Sequence, residues 1–157
     1  MINQINGNLF KLSTSDIIAH GVNCQGRFAS GFAALVARYY PWAKQDYSIK
    51  HLNDGWKIGD IQCCSHPYLK NYKPIICNIA TQKYYGYDGE VYFSYVGFRL
   101  GLSKLLEFAE NNKLSISMPK IGAGLGGGSW DEILTIIEEV SSDYQDVEIN
   151  IYSLEDK

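Results

Sequence analysis

The sequence is short of the features that would assign it quickly. It has no uninterrupted run of about 18 apolar residues, the length a membrane-crossing helix needs, and no signal-peptide pattern, so a cytoplasmic protein without a membrane partner is expected. It has only four cysteines, Cys24, Cys63, Cys64 and Cys77. None forms a CxxC pair and no His stands beside them at ligand spacing. That excludes the common metal patterns and leaves free, buried thiols as the reading, with Cys63 and Cys64 on opposite faces of a strand. Basic residues are not in excess: 14 Lys and Arg face 17 Asp and Glu, for a net charge of −3. A non-specific nucleic-acid binder would be basic, so nucleic acid is not expected except as a modified substrate. Small anions stay open, because backbone amides bind them locally. No Gly-Lys-Ser/Thr triplet follows a glycine run, which excludes a P-loop. Repeats, low-complexity tracts and linkers are also missing.

What is present is ordinary in bulk and uneven in detail. A length of 157 residues, 46% apolar and 20% charged, suits one domain with a real core. Tyrosine is abundant, at 12 residues. Apolar patterning predicts strands over 1–5, 16–23, 58–65, 73–80, 114–121 and 147–152, and helices over 32–40, 42–49 and 91–111. In the longest helix Val96, Leu100, Leu102, Leu105, Leu106 and Phe108 are the expected buried face. A further helix follows Ser129, with Ile133, Ile136, Ile137 and Val140 as its buried stripe and Ser129 with Glu132 as a capping box. Alternating strands and helices with βαβ-length crossovers predict a three-layer α/β/α sandwich around a mixed, mostly parallel sheet.

Two glycine loops stand out, each after a strand and before a helix. One holds Gly122, Gly124, Gly126, Gly127 and Gly128; the other holds Gly26 and Gly31. Glycines leave N–H groups open to an anion, and a helix N-terminus adds its positive dipole end. A tight turn needs only one or two glycines, so the five-glycine loop reads as an anion cradle. Gly122-x-Gly124-x-x-Gly127 formally matches a dinucleotide fingerprint, but too few βα units follow for that fold. The two loops flanking one crevice would clamp a diphosphate. Arg27 would add a charge-assisted contact or stand in solvent.

These segments resemble the macro domain family, the ADP-ribose-binding α/β/α module. The matching stretches are Ile5-Asn-Gly-Asn-Leu9, His20-Gly-Val-Asn-Cys-Gln-Gly26 with Gly31, Asn78-Ile-Ala-Thr-Gln82, Met118-Pro-Lys-Ile-Gly-Ala-Gly-Leu-Gly126 with Trp130, and Ile149-Asn-Ile-Tyr152. The resemblance covers essentially all of 1–157 as a single macro domain. It implies ADP-ribose or a derivative as ligand, no cofactor, no metal and a monomer. It also implies a ligand site built from Asn8, Gly26, Arg27, Phe28, Ala29, Ser30, Gly31, Thr81, Gln82, Ile121, Gly122, Ala123, Gly124, Leu125, Gly126, Gly127 and Tyr152. Asn8 stands where the family usually has an Asp facing adenine. Tyr152 either stacks on adenine or packs at a sheet end.

Two branches are similar. ADP-ribosyl glycohydrolases have a Lys just after Thr81 and in part an Asp in the last glycine loop. Here those places hold Gln82 and Gly126, and Lys83 is one residue late, an alternative nucleophile if the loop lets it reach. The yeast-type ADP-ribose 1″-phosphate phosphatases have a His-x-x-Asn-Cys pattern, which His20-Gly-Val-Asn-Cys24 fits. That reading makes His20 a general acid or nucleophile and lets Asn23 orient the ribose or the water; a hydrogen-bonded core histidine is the other reading of His20. A non-catalytic binding module also stands open. His51 and His66 read as surface residues. Asp88 and Glu90, in the loop expected to border the distal ribose, read as solvated charges, with an acid or base role as the other reading.

Overall fold

The computed structural model describes residues 1–154 apart from Tyr87, Gly89 and Leu125. In chain order the elements are β1 (Ile2–Asn6), α1 (Leu9–Leu12), β2 (Ile17–Asn23), α2 (Gly31–Tyr39), α3 (Pro41–Asn53), β3 (Ile61–Cys64), β4 (Ile75–Gln82), α4 (Tyr95–Asn112), β5 (Ile116–Pro119), α5 (Trp130–Ser141) and β6 (Ile149–Ser153). The six strands form one sheet in the order β1-β6-β5-β2-β4-β3. All pairs are parallel except β3 with β4. The expected three-layer sandwich is therefore the architecture found.

β2 shows why the sheet is covered on both sides. Ile17 and Ala19 enter the core beneath α4 and α5, while Ile18 and Val22 enter the core with α2 and α3. Period-two alternation sends neighbours to opposite faces, so a strand buried twice reads as a continuous apolar run. In α5 the stripe of Ile133, Ile136, Ile137 and Val140 is buried as expected.

Several expectations need correction. α1 is a single turn too short to leave a periodic signal. α4 begins at Tyr95, where the Ser94 side chain accepts from Gly97 N, not at Val91. Its buried face is Phe98, Gly101, Leu102, Leu105, Leu106 and Ala109, whereas Val96 and Leu100 are 70% and 51% exposed. Glycine has no apolar signal, yet Gly101 brings α4 against the sheet: a Cβ there would lie 2.5 Å from Ile79. Ser129 makes no side-chain cap bond; its N–H, which Glu132 would have served in a capping box, donates to the Tyr95 hydroxyl at 2.9 Å. All four thiols are free, but Cys63 is exposed and Cys24 half-buried, so only Cys64 and Cys77 are buried. His66 accepts from Tyr68 N and packs against Trp42 and Tyr72, and His51 closes on Gly26, so neither is a free surface residue.

Candidate functional site

β5, β2 and β4 lie side by side, and the chain leaves their carboxyl ends in different directions. From β2 it passes into the α2 and α3 layer; from β4 and β5 it passes into the α4 and α5 layer. Such a divergence opens a crevice at the strand ends. A cleft of about 320 Å³ occupies it, lined by 20–23 of β2, Thr81 and Gln82 of β4, and 119–122 at the end of β5. Arg27, residues 30–33, Tyr85, Gly86, Gly124 and Gly126 complete the wall.

The five-glycine loop divides into two kinds of position. Gly122 has φ +81°, and a Cβ there would meet the Phe93 ring at 2.4 Å. Gly127 has φ +73° and lies against Glu90 O, and a Cβ at Gly128 would meet Gly122 O at 2.9 Å. Those three serve the turn itself, so more of the loop is structural than counting glycines suggests. Gly124 is different: its Cβ would meet nothing within 4 Å among the described residues, and it lines the cleft.

The helix that turns its N-terminus to the cleft is α2, not the expected α5. The first turn of α5 carries Asp131 and Glu132, which neutralise its positive end, and no residue of α5 lines the cleft. The first turn of α2 has no acidic residue, and Ser30, Gly31, Phe32 and Ala33 line the cleft. The opening N–H groups of a helix have no partner within it, so α2 offers the anion site.

His20 is 1% exposed. Its Nε2 lies 2.6 Å from Asn78 Oδ1, and its Nδ1 is buried with no partner among the described residues. The ring meets Phe28 edge-on at 5.2 Å and Phe32 at 5.9 Å. Burial pulls its pKa down to about 4, with the Asn78 hydrogen bond opposing. The ring is neutral at pH 7, which corrects the expectation of a resting general acid; an acceptor or nucleophile at Nδ1 remains. Asn23 also has structural partners. Its Oδ1 accepts from Gln25 N at 3.0 Å and Arg27 N at 3.3 Å, and its Nδ2 donates to Arg27 O at 2.7 Å. The Tyr47 hydroxyl donates to Asn23 O at 2.7 Å and lies 3.0 Å from Asn23 Oδ1. Asn23 lines the cleft, and its amide oxygen and one amide N–H fold the first glycine loop.

No family model matches the chain. An uncharacterized 17.5 kDa protein of Enterobacteria phage T4 is 31% identical over 146 residues, covering 90% of this chain and 91% of that one. The ADP-ribose 1″-phosphate phosphatase of Saccharomyces cerevisiae is 26% identical over 167 residues, covering 90% of this chain and 94% of the enzyme. The macrodomain of Thermus aquaticus DarG superposes with a TM-score of 0.82 at 25% identity, covering 98% of both chains. The chain belongs to the macro domain family.

Within this macro domain the residues expected at the site fall into groups. His20, Asn23, Arg27, Ser30, Gly31, Thr81, Gln82, Ile121, Gly122, Gly124 and Gly126 line the cleft. Gly26, Ala29, Ala123 and Gly127 belong to its loops without lining it. Phe28 is a core residue behind His20. Asn8 lies outside the lining and caps α1, its side chain accepting from Phe10 N at 2.9 Å. Tyr152 is 8% exposed and packs in the core. Leu125 lies outside the described residues. Lys83 faces a second cavity with Trp56 and Lys57, its Nζ 5.4 Å from the Tyr84 ring centroid, so the loop does not bring it to the cleft. Asp88 does not line the cleft either; the Tyr92 hydroxyl, and then Glu90 N–H, hold its carboxyl below the usual range.

Eight lining residues were not expected at the site, Lys120, Tyr85 and Phe32 among them. Lys120 lines the cleft, its Nζ 5.6 Å from the Trp130 ring centroid. Tyr85 lies under the Arg27 guanidinium at 5.0 Å, and Phe32 lies in the first turn of α2. Lys120 was legible as the charge within Met118-Pro-Lys-Ile121. Tyr85 was hidden among similar tyrosines.

Proposed function

We propose that this macro domain binds ADP-ribose in the cleft and hydrolyses the phosphomonoester of ADP-ribose 1″-phosphate. The observation carrying this reading is one cleft that joins amide donors, two cations and a neutral histidine. The N-terminus of α2 and the five-glycine loop supply amides for phosphate oxygens, and Arg27 and Lys120 supply positive charge. His20 contributes the unprotonated nitrogen that an attacking water or a phosphoryl group requires. The activity of the yeast relative supports the choice. The test is phosphate release from ADP-ribose 1″-phosphate. His20→Ala is expected to lower kcat by two to three orders of magnitude while ADP-ribose affinity changes little. Wild-type release no faster than the uncatalysed rate sinks the catalytic claim.

A second reading, a binding module without turnover, has its own support. Among the described residues no Asp or Glu lines the cleft, so a carboxylic acid for the leaving oxygen is missing. Tight ADP-ribose binding with no turnover of its phosphate, acetyl or protein-linked forms favours it. The position of Lys83 weighs against a lysine-dependent ADP-ribosyl hydrolase. A cytoplasmic monomer acting on a small molecule is part of the same proposal.

A further inference from the structure

The tautomer of His20 is set by a directed chain of hydrogen bonds that begins at the backbone of α3. Gln62 Nε2 donates to Asp46 O at 2.9 Å. A backbone carbonyl can only accept, so the Gln62 amide has one orientation, with Oε1 turned to Asn78. Asn78 Nδ2 lies 3.1 Å from Gln62 Oε1 and 3.3 Å from Ala43 O, and donates to both. Two acceptors on that side leave Asn78 Oδ1 facing His20, at 2.6 Å from Nε2. An amide oxygen has no proton to give, so the proton must be on Nε2. Asn78 is fully buried, and register pairs it with His20 across β2 and β4.

We propose that Asn78 is a positioning residue that holds His20 as its Nε2–H tautomer, leaving Nδ1 unprotonated on a residue that lines the cleft. The tautomer follows from hydrogen-bond direction alone; its catalytic use rests on the phosphatase reading. In that use Nδ1 takes a proton from water as the water oxygen bonds to phosphorus. The bond from phosphorus to the sugar oxygen breaks, and its electron pair leaves on that oxygen. The imidazolium so formed keeps its Nε2–H bond to Asn78 and returns the Nδ1 proton to the leaving oxygen, completing the balance. A carboxylate partner would raise basicity further; an amide fixes direction with a smaller effect on charge.

The experiment is long-range ¹H–¹⁵N correlation of the His20 ring in the free protein, where no substrate is needed. A single Nε2–H tautomer between pH 6 and 8 is expected. An Nδ1–H tautomer, a mixture or an imidazolium in that range overturns the proposal, whatever the protein hydrolyses. Asn78→Leu is expected to populate both tautomers and to lower kcat on ADP-ribose 1″-phosphate at least tenfold with KM within twofold. If that variant is folded and its ring still shows one Nε2–H tautomer, Asn78 is not the positioning group. If the wild-type tautomer is as expected and no phosphate is released, the phosphatase reading fails and the tautomer assignment stands.

Discussion

At the scale of single residues, His20 couples the site to stability. Its folded pKa of about 4 lies below the ordinary 6.5, so the unfolded chain takes up a proton first as pH falls. The stabilising contribution is complete above pH 6.5 and is lost as pH drops towards 4. The full loss is about 3 kcal/mol, since each pH unit between the two values is worth about 1.4 kcal/mol. Urea unfolding at pH 7.5 and 4.5 measures it. His20→Gln, with a donor for Asn78 and no titration, is expected to flatten that part of the pH dependence. An equally steep dependence in the variant would place the effect elsewhere. Asn23 teaches a different residue-scale lesson. Its type and place suggested contact with ligand, yet the bonds that commit its amide to Arg27 and Gln25 depend on how the loop folds back. Composition does not reveal that.

At the scale of elements, the glycine loop separates shape from recognition. Gly122→Ala forces a side chain into the left-handed region and against Phe93, at an expected cost of about 3 kcal/mol. Gly124→Val meets open space, so stability is expected within about 0.5 kcal/mol of the parent. The same variant fills the cleft and is expected to weaken ADP-ribose binding at least tenfold. Thermal unfolding and calorimetric titration of the two variants give opposite patterns; equal effects in both assays would deny the division. β2, β4 and α5 were legible because their burial leaves uninterrupted or periodic apolar residues. The buried face of α4 was displaced in sequence reading because Gly97 and Gly101 pack closely while adding nothing to an apolar count. The choice of α2 over α5 as the anion-facing helix needed the directions in which the strands hand over the chain, although Asp131 and Glu132 already argued against α5.

At the scale of the whole molecule, the cleft exists because three neighbouring parallel strands end together and send the chain to both layers. Its walls come from segments far apart in sequence, so a ligand joins parts that folding alone connects only through the sheet. ADP-ribose at a hundred times its Kd is expected to add about 2.7 kcal/mol to the folded state. For a chain of this size that raises the melting midpoint by roughly 5–10 °C. A scan with and without ligand checks this, and an unchanged midpoint would count against binding by the native fold. The fold class and the location of the site were readable from the order of strands and glycine loops. The separation of cleft residues from their supports was not, since it depends on facing directions across the sheet.

The short stretch before α4 has one more consequence. Tyr92 and Phe93 donate their N–H groups to Gly126 O at 2.9 and 3.1 Å, Phe93 bridges to Gln82, and Ser94 N–H reaches Thr81 O at 2.6 Å. The end of β4 and the glycine loop are thus riveted to the same short strap. Neither can swing outward without dragging the other. The cleft therefore has one wall made of two chain segments that act as a single cheek.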